Sequence, residues 1–408
     1  FATSIVTVLF SQYYAEVVAG GQAGTRILGR AVPGGTLYAW LVGLSMAVVA
    51  VAAPFLGALA DRRGSRIRFL GLFWLPGVAL AFALAGVEAG EWLSGGLLFA
   101  AAYACFGLAS VFYNALLPEL APPEELGRAS GLAWGVGYVG GALVLVLNLL
   151  MLRAPQRLGF PAGTFDLGDC FAAAALWWFL FSLPLFAVFR YEDRRPRAAA
   201  DAFLGWREEA GAVAARVRHT FHRLAGLRNL RLFFLSFLLY NDAVQVVVVM
   251  SSIFGRTVLG LGAESLIALF LMVQGTAFLG SLLLGPLADR AGHKPVLLVC
   301  VGAWTLTTLW GAGVGIFGAP VREYWILGGI SGIFLGGIQS CSRSMLARWV
   351  PAGQESELFG FFAIMSRVAS VFGPLLYGAL NLLTGSLRGA TLSVVALFAA
   401  GGLLLLRV

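Results

Sequence analysis

The sequence Gly57-Ala-Leu-Ala-Asp61-Arg62-Arg63-Gly64 recurs 228 residues later as Gly285-Pro-Leu-Ala-Asp289-Arg290-Ala-Gly292. Each copy follows a long apolar run, and the two copies share their Gly, Leu, Asp and Arg positions. Further matches, Glu125 with Glu357 and Gly141 with Gly373, lie at an offset of 232 residues. Because self-similarity at a fixed offset is typical of duplicated architecture, the chain is predicted to contain two repeats of like orientation.

Composition places both repeats in a membrane. Of 408 residues, 59% are hydrophobic and 12% are charged, and the mean hydropathy is +0.86, whereas soluble domains carry about 25% charged residues. Apolar runs bounded by Gly, Pro and charge lie near 1–19, 36–60, 68–87, 92–117, 127–152, 169–189, 229–251, 263–288, 295–314, 324–348, 358–380 and 387–407. Each has about the length that crosses the hydrocarbon core, so the predicted fold is an all-α polytopic membrane protein with twelve transmembrane helices.

Basic residues predict the orientation, because Lys and Arg accumulate in cytoplasmic loops. With a cytoplasmic amino terminus, nineteen Lys and Arg residues fall inside and seven outside. Both termini are therefore predicted to be cytoplasmic. Lys294 is the only lysine among 28 basic residues, which favours a GC-rich bacterial genome and hence a bacterial inner membrane. Phe1 already lies within an apolar run, so further residues are expected before it.

Three regions are predicted: an N-terminal six-helix bundle over 1–189, a cytoplasmic linker over 190–228 and a C-terminal six-helix bundle over 229–408. Apolar residues recur at three- and four-residue steps between Phe203 and Leu224, with charged residues between them. This pattern is typical of an amphipathic helix on a membrane surface, and a docking surface for a partner protein is the alternative. His219 and His222 are expected to be solvated there.

Several function classes are excluded by what the sequence lacks. The basic residues lie in short loops and do not form the cluster typical of nucleic-acid binding. Cys105, Cys170, Cys300 and Cys341 have no metal-ligand spacing, so no metal site is predicted. No P-loop, GxSxG or HExxH pattern occurs. The chain is therefore predicted to be neither an enzyme nor an ATP-driven pump, and to need no cofactor.

The repeated segments GALADRRGSRIR and GPLADRAGHKP resemble the G-x-L-a-D-r-x-G-r-[KR] loop motif of the major facilitator superfamily. FATSIVTVLFSQYY (1–14), YNDAVQ (240–245), GGIQSCSRS (336–344) and the segment 351–378 are similar to the bacterial "unknown major facilitator" family, which is related to the vacuolar amino-acid effluxers of autophagy. The similarity covers essentially the whole chain. Ser11, Ala243 and Arg367 stand where that family favours Pro, Gly and Lys, and these departures bear on the substrate, not on the fold.

The resemblance implies the major facilitator fold, in which two six-helix parallel repeats surround a central cavity lined by spans 1, 4, 7 and 10 and by spans 2, 5, 8 and 11. It further implies a monomer that works as a secondary transporter by alternating access, with its site at the interface of the repeats. Amino acids are the implied substrate.

Polar groups within spans predict the transport site, since an acidic or basic side chain near the bilayer centre costs about 2.5–3.5 kcal/mol on insertion scales. At 100° per residue, Asn241, Asp242 and Gln245 share one face of span 7. Other candidates for substrate or coupling-ion contact are Gln12, Tyr13 and Glu16 in span 1, Asn114 in span 4, Trp134 and Tyr138 in span 5, Gln339 and Arg343 in span 10, and Arg367 in span 11.

Three interpretations of the charged residues remain open, and in the simplest of them the groups lie near the ends of their spans and are solvated. In the second, Asp242 couples transport to a proton or cation and Arg343 or Arg367 binds an anionic group of the substrate, because arginine suits a carboxylate. In the third, Asp242 and one of these arginines form a structural ion pair between helices. Glu16 is expected to be an interfacial carboxylate, and the amides of Asn148 and Gln274 are expected to bond between helices.

The repeated loop motif is expected to act on conformation. By the resemblance, its residues form a charge network that latches the two bundles in the outward-facing state: Gly57, Asp61, Arg62 and Arg66 in the first copy, and Gly285, Asp289 and Arg290 in the second. Asp61 is also expected to cap the amino end of span 11, where a helix dipole favours an anion. Charges that only set the topology are the alternative.

The function predicted from these residues is secondary active transport of a small solute, best an amino acid, with proton coupling. Export of a lipid, amphiphile or drug by the same fold is one alternative. A non-transporting membrane sensor or scaffold is another, and it would tolerate neutral replacements of Asp242 and Arg343.

Overall fold

The computed structural model describes residues 9–21, 24–27, 30–32, 34–63, 66–192, 211, 215, 227–351, 353–384 and 386–408. The chain begins with α1 (Phe10–Gln12), which continues as a π-helical turn (Tyr13–Val18), and with the antiparallel strands β1 (Thr25–Ile27) and β2 (Arg30–Val32). The first half continues with α2 (Gly34–Arg63), α3 (Arg66–Ala83), α4 (Trp92–Ala115), α5 (Leu117–Leu120), α6 (Leu126–Arg153) and α7 (Leu167–Glu192). The second half holds α8 (Arg228–Leu259), α9 (Ala263–Ala291), α10 (His293–Ala312), α11 (Pro320–Trp349), α12 (Glu355–Thr384) and α13 (Leu387–Leu406).

Ten helices in the described residues are long and apolar enough to cross a membrane: α2, α3, α4, α6, α7, α8, α9, α10, α11 and α13. The 30-residue α12 occupies the position of predicted span 11, and α1 with its π-helical turn occupies the described part of span 1. The helices match the predicted spans to within about four residues, except that α8 runs eight residues past the predicted end at 251 and that only the second half of span 1 is described. The predicted all-α, twelve-helix membrane fold is therefore confirmed.

The chain divides into two compact units, one of residues 1–114 and 140–209 and the other of residues 115–139 and 210–408. Helix α6 thus contributes its first half to the second unit and the remainder to the first. The domain division at residues 189 and 229 stays a prediction. The predicted amphipathic helix, with His219 and His222, lies outside the described residues except at 211 and 215, which are helical.

Stacked aromatic rings fill the core of the first unit. Phe10 of α1 lies with its ring centroid 4.8 Å from that of Phe99 on α4 and 5.4 Å from that of Phe171 on α7. The hydroxyl of Tyr14 donates to the carbonyl of Trp92 at 2.6 Å. These contacts join the start of the chain to α4 and α7, because burying aromatic area supplies much of the packing energy of a core.

The second unit is built around α8, which packs against α12 and α13. Phe237 of α8 stacks on Phe362 of α12 at 4.1 Å between centroids, and Trp304 of α10 stacks on Phe398 of α13 at 5.5 Å. The hydroxyl of Ser236 donates to the carbonyl of Gly401 at 2.7 Å. This packing fixes the rotation of α8 and so decides where its next polar residues point.

Candidate functional site

Asp242 lies near the middle of α8 and is 4% exposed. Its Oδ1 accepts a hydrogen bond from the backbone N–H of Gly373 on α12, with 2.8 Å between nitrogen and oxygen. This approach requires a glycine at position 373, because a Cβ there would lie 2.5 Å from Oδ1 and 2.8 Å from Cγ of Asp242. Within the described residues Asp242 makes no ion pair. A buried carboxylate is thus held by a backbone donor of a neighbouring helix.

The two residues before Asp242 extend the polar contacts of α8. The amide nitrogen of Asn241 donates to the hydroxyl of Ser366 on α12 at 3.5 Å. The hydroxyl of Tyr240 lies 2.8 Å from the hydroxyl of Ser342 on α11. Tyr240 is 1% exposed and Asn241 is 4% exposed. Three consecutive residues of α8 therefore bond to two different helices, since successive helical residues point about 100° apart.

The structural ion pair of Asp242 with Arg343 or Arg367 stays a prediction, since within the described residues the Asp242 carboxylate contacts the backbone N–H of Gly373 on α12. Arg343 is buried, with 4% exposure. The hydroxyls next to it on α11 bond to their own helix, Ser342 to the carbonyl of Ile338 and Ser344 to the carbonyl of Ser340 at 3.0 Å. The side chain of Arg367 lies outside the described residues, so its pairing with Asp242 stays a prediction.

The other predicted site residues fall in both units. In the first, Tyr13 donates to the carbonyl of Val87 at 2.7 Å, Glu16 is exposed, Asn114 is half-buried, and the side chain of Gln12 is not among those described. In the second, the rings of Trp134 and Tyr138 lie 5.8 Å apart, and Gln245 and Gln339 are half-buried. The structure thus joins Asn241 and Asp242 to α12.

The second copy of the repeated loop motif contacts the start of α6. Oδ1 of Asp289 accepts from the N–H of Gly127 and Oδ2 accepts from the N–H of Arg128, each at 2.7 Å. Because α6 begins at Leu126, both donors belong to the first turn, whose N–H groups have no partner within the helix and whose dipole favours an anion. We call this contact the Asp289 latch.

Close backbone approach supports the Asp289 latch. A Cβ on Gly285 would lie 2.5 Å from the carbonyl oxygen of Gly127. One turn further along α6, a Cβ on Gly131 would meet the carbonyl of Ser281. Small residues at four-residue spacing therefore let the two backbones come together. The close approach of the two helices explains why the second motif copy begins with a glycine, Gly285.

In the first copy of the motif, Asp61 at the end of α2 bonds to Arg66 at the start of α3. Oδ1 of Asp61 accepts from Nε of Arg66 at 2.9 Å, and the carboxylate side chain is fully buried. Gly57 is buried and Arg62 half-buried, whereas Arg290 of the second copy is exposed. The helix cap that we expected from Asp61 on span 11 stays a prediction, while its counterpart in the second copy caps span 5.

Sequence reasoning missed Gly373 as the partner of Asp242, because a backbone donor has no identity in a sequence. One signal was present: Gly373 is followed by Pro374 inside an apolar span, and proline leaves a helix with an unpaired carbonyl. The expected interhelical hydrogen bond of Asn148 is wrong within the described residues, since neither amide atom of this fully buried side chain has a partner there.

Comparison with known proteins identifies the family of this chain. Residues 21–408 match the family model described as "Vacuole effluxer Atg22 like". The chain is 29% identical over 366 residues to the "Uncharacterized MFS-type transporter YxiO" of Bacillus subtilis, covering 89% of this chain and 82% of that relative. It is 24% identical to "Autophagy-related protein 22-1" of Penicillium rubens, covering 93% of this chain and 76% of that protein.

Solved structures match the fold. A bacterial homologue of the iron transporter ferroportin, crystallised in an outward-facing state, has a TM-score of 0.71 at 13% identity, with 99% of this chain and 94% of that chain covered. The E. coli fucose:proton symporter FucP has a TM-score of 0.63 at 16% identity, with 90% of each chain covered. Taken with the family match, these similarities show that the chain belongs to the Atg22-like vacuole effluxer family and is a transporter of the major facilitator superfamily, not an enzyme.

Proposed function

We propose that this transporter moves amino acids by proton-coupled alternating access and that Asp242 is its coupling group. The observation that carries the proposal is the bond between the Asp242 carboxylate, 4% exposed in a spanning helix, and the backbone of Gly373. Ionisable residues inside transmembrane segments are costly and mark ion or proton pathways. A buried carboxylate in a spanning helix is therefore best explained by transport.

Proton binding would change the contact between two helices. An ionised carboxylate is a charge-assisted acceptor, and such bonds are roughly twice as strong as neutral ones. Protonating Asp242 would weaken its bond to Gly373 and with it the attachment of α8 to α12. By the resemblance, spans 7 and 11 both line the cavity, so the proton would act on cavity-lining helices. Arg343 and Arg367 are the proposed partners of an anionic substrate group, because guanidinium binds carboxylate in a bidentate manner.

The Asp289 latch supplies the second element that alternating access requires. It joins the start of span 5, in the first half of the chain, to the loop after span 8 through two charge-assisted bonds of 2.7 Å. We propose that the latch is made in the outward-facing state and broken in each cycle. Losing it would slow cycling without changing which substrate binds.

The amino-acid substrate rests on the resemblance to vacuolar amino-acid effluxers and is supported by the description of the matched family as vacuole effluxers. We further propose that the protein is a monomer of a bacterial inner membrane with both termini cytoplasmic. Lipids would surround it, and residues 190–228 are the segment available to a partner protein.

Amphiphile export is the second candidate, because the first unit has an apolar groove of about 340 Å³. Tyr14, Leu37, Trp40 and Trp92 line this groove, and Trp40 is 60% exposed. The groove lies at the starts of α2 and α4, which the predicted orientation puts on the outer side, and its apolar lining would accept an acyl chain more readily than an amino acid.

Counterflow in proteoliposomes tests the proposal. Vesicles containing the purified protein are loaded with a pool of unlabelled amino acids, and uptake of each labelled amino acid is measured with and without an inward proton gradient. We expect exchange of at least one amino acid and gradient-driven accumulation that Asp242→Asn abolishes. Uptake of a labelled lysolipid but of no amino acid would favour the amphiphile candidate. Wild-type accumulation by a variant carrying Asp242→Asn and Arg343→Gln together would refute the site.

A further inference from the structure

We propose that Gly373 and Pro374 form a joint in α12 that ionised Asp242 holds closed and protonated Asp242 releases. The inference rests on the proposed coupling role of Asp242 and adds the step by which a proton would change the shape of a helix. We call these three residues the α12 joint. It lies within one unit of the chain, so it can be argued from the described contacts alone.

Backbone hydrogen bonding is weakened at this point of α12. In a regular helix, the N–H of residue 373 donates to the carbonyl of residue 369, and the N–H of residue 374 donates to that of residue 370. Pro374 has no N–H to donate. The N–H of Gly373 is directed to Oδ1 of Asp242 at 2.8 Å. The carbonyl of residue 370 therefore has no helical donor, and the carbonyl of residue 369 at best shares the Gly373 N–H with Asp242. Such an interruption of the hydrogen-bond ladder is a recognised cause of helix kinks.

Glycine is required at the joint by geometry. A Cβ at position 373 would lie 2.5 Å from Oδ1 of Asp242 and would also meet the side chain of Val246. Glycine weakens a helix interior, so its presence here is explained by the approach of the carboxylate. In the first repeat, the residues at the same offset are Gly141 and Ala142. The first half therefore has the glycine without the proline, and the joint belongs to the second half only.

Protonation changes the bond between Asp242 and Gly373 that bridges the joint. An ionised carboxylate accepts the Gly373 N–H through a charge-assisted bond, and the neutral acid offers a weaker acceptor. Once this bond weakens, the two parts of α12, residues 355–372 and 375–384, can bend relative to each other, because the backbone hydrogen bonds between them are incomplete. The bend of α12 thus becomes linked to the proton occupancy of Asp242, and by linkage the bend alters proton affinity.

Few other charged or titratable groups could control the bend of α12 in place of Asp242. The charged or titratable side chains on the central parts of the helices packed against α8 are Cys300 on α10, Cys341 and Arg343 on α11, and Arg367 and Tyr377 on α12, together with Tyr240 on α8 itself. Helix α13 has none between residues 389 and 406. Tyr240 is engaged with Ser342 and Tyr377 donates to the carbonyl of Leu387 at 3.2 Å. Among the groups whose side chains are described, no ion pair with Asp242 is found, and the side chain of Arg367 lies outside the described residues.

Hydrogen/deuterium exchange of the full-length protein in nanodiscs tests the joint at one fixed pH. Asp242→Asn serves as the neutral form of Asp242. We expect amides 369–377 to exchange roughly 5- to 30-fold faster than in the wild type, the range that corresponds to one or two kcal/mol, while α13 is unchanged. Gly373→Ala should raise exchange in the same segment, although alanine is the better helix former. Adding Pro374→Ala to Asp242→Asn should return exchange to the wild-type level, because the missing donor is restored.

The matched control is Gly302→Ala on α10, where a Cβ would meet nothing within 4 Å. Unchanged exchange of residues 369–377 in Asp242→Asn, or an equal rise in Gly302→Ala, would overturn the joint. Gradient-driven transport is measured on the same samples. Lost accumulation with unchanged exchange would overturn the joint and leave the proposed function standing. Faster exchange with normal accumulation would overturn the coupling role and with it the proton control of the joint.

Discussion

Replacing Asp289 with asparagine should open the latch at the start of α6. The wild-type carboxylate accepts two backbone N–H groups at 2.7 Å, one with each oxygen. Asparagine keeps one neutral acceptor and turns an NH₂ group toward the other donor. One charge-assisted bond is then lost and the second is weakened, while the surrounding helices are unchanged. The variant therefore isolates the electrostatic part of the latch.

The size of the effect follows from these two bonds. A hydrogen bond to a charged group contributes about 1.5–3 kcal/mol, and a neutral one about 1 kcal/mol. Losing one bond and neutralising the other costs roughly 2–4 kcal/mol. Because 1.4 kcal/mol is a factor of ten, the equilibrium constant for opening should rise roughly 30- to 700-fold. The side chain of Asp289 is only 10% exposed, so water replaces little of this interaction.

Cysteine accessibility measures the opening. Ser130 lies on α6 one turn beyond Gly127 and is fully buried, so Ser130→Cys reacts with a charged maleimide only when this part of α6 separates. The four native cysteines are first replaced by alanine, and the reaction rate is compared with and without Asp289→Asn. We expect the rate to rise by the factor given above.

The matched control is Glu124→Gln, because Glu124 is an exposed acid in the loop before α6. It removes the same charge from the same region without touching the latch. Equal rates in Asp289→Asn and the wild type, or an equal rise in Glu124→Gln, would refute the reasoning. A changed substrate spectrum in Asp289→Asn would likewise contradict a purely conformational role.

Three further predictions follow from the second unit. Gly285→Ala should accelerate the reaction of Ser130→Cys with maleimide, because a Cβ at position 285 would lie 2.5 Å from the carbonyl oxygen of Gly127. The control is Gly275→Ala on the same helix, where a Cβ would meet nothing within 4 Å, and it should leave the rate unchanged. Tyr240→Phe and Ser342→Ala should show a coupling of about 1 kcal/mol in a double-mutant cycle of unfolding free energies, since their hydroxyls lie 2.8 Å apart; additive effects would contradict the bond. Glu323→Gln should lower the midpoint of thermal unfolding and leave transport unchanged. The reason is that the Glu323 carboxylate accepts hydrogen bonds from the indole N–H of Trp310 at 3.0 Å and from the N–H of Gly315 at 2.9 Å. A wild-type midpoint would contradict a stabilising role of Glu323.

Periodicity predicted much of the fold from the sequence. Apolar runs of spanning length and the repeated Gly-x-Leu-Ala-Asp-Arg motif carry their information in side chains, and they indicated the helices and the two halves before any contact was known. The short hairpin of β1 and β2 was not anticipated, because three-residue strands leave too little pattern to detect.

The site was predicted only in part, for a reason that Asp242 illustrates. Its place on a polar face of span 7 follows from the helical period, but the period does not say which neighbour that face meets. Rotation of α8 is set by distant packing, such as the stacking of Phe237 on Phe362. Within the described residues the Asp242 carboxylate contacts the backbone N–H of Gly373, a partner that the helical period does not predict.

The loop motif shows the same limit. Its two copies predicted a conformational element, and the attraction of an aspartate for a helix amino terminus predicted a cap. The sequence assigned the cap to Asp61 and span 11, which stays a prediction, and did not indicate a cap by Asp289. The observed cap joins Asp289 to α6, where Gly127 and Gly285 allow close approach.

The most direct test of the proposed mechanism is a paired measurement on one preparation of Asp242→Asn proteoliposomes: counterflow of a labelled amino acid at equal pH, and its accumulation under an inward proton gradient. If Asp242 is the coupling group, the variant should retain exchange and lose accumulation, while the wild type shows both. Accumulation by the variant at the wild-type level would contradict the coupling role of Asp242.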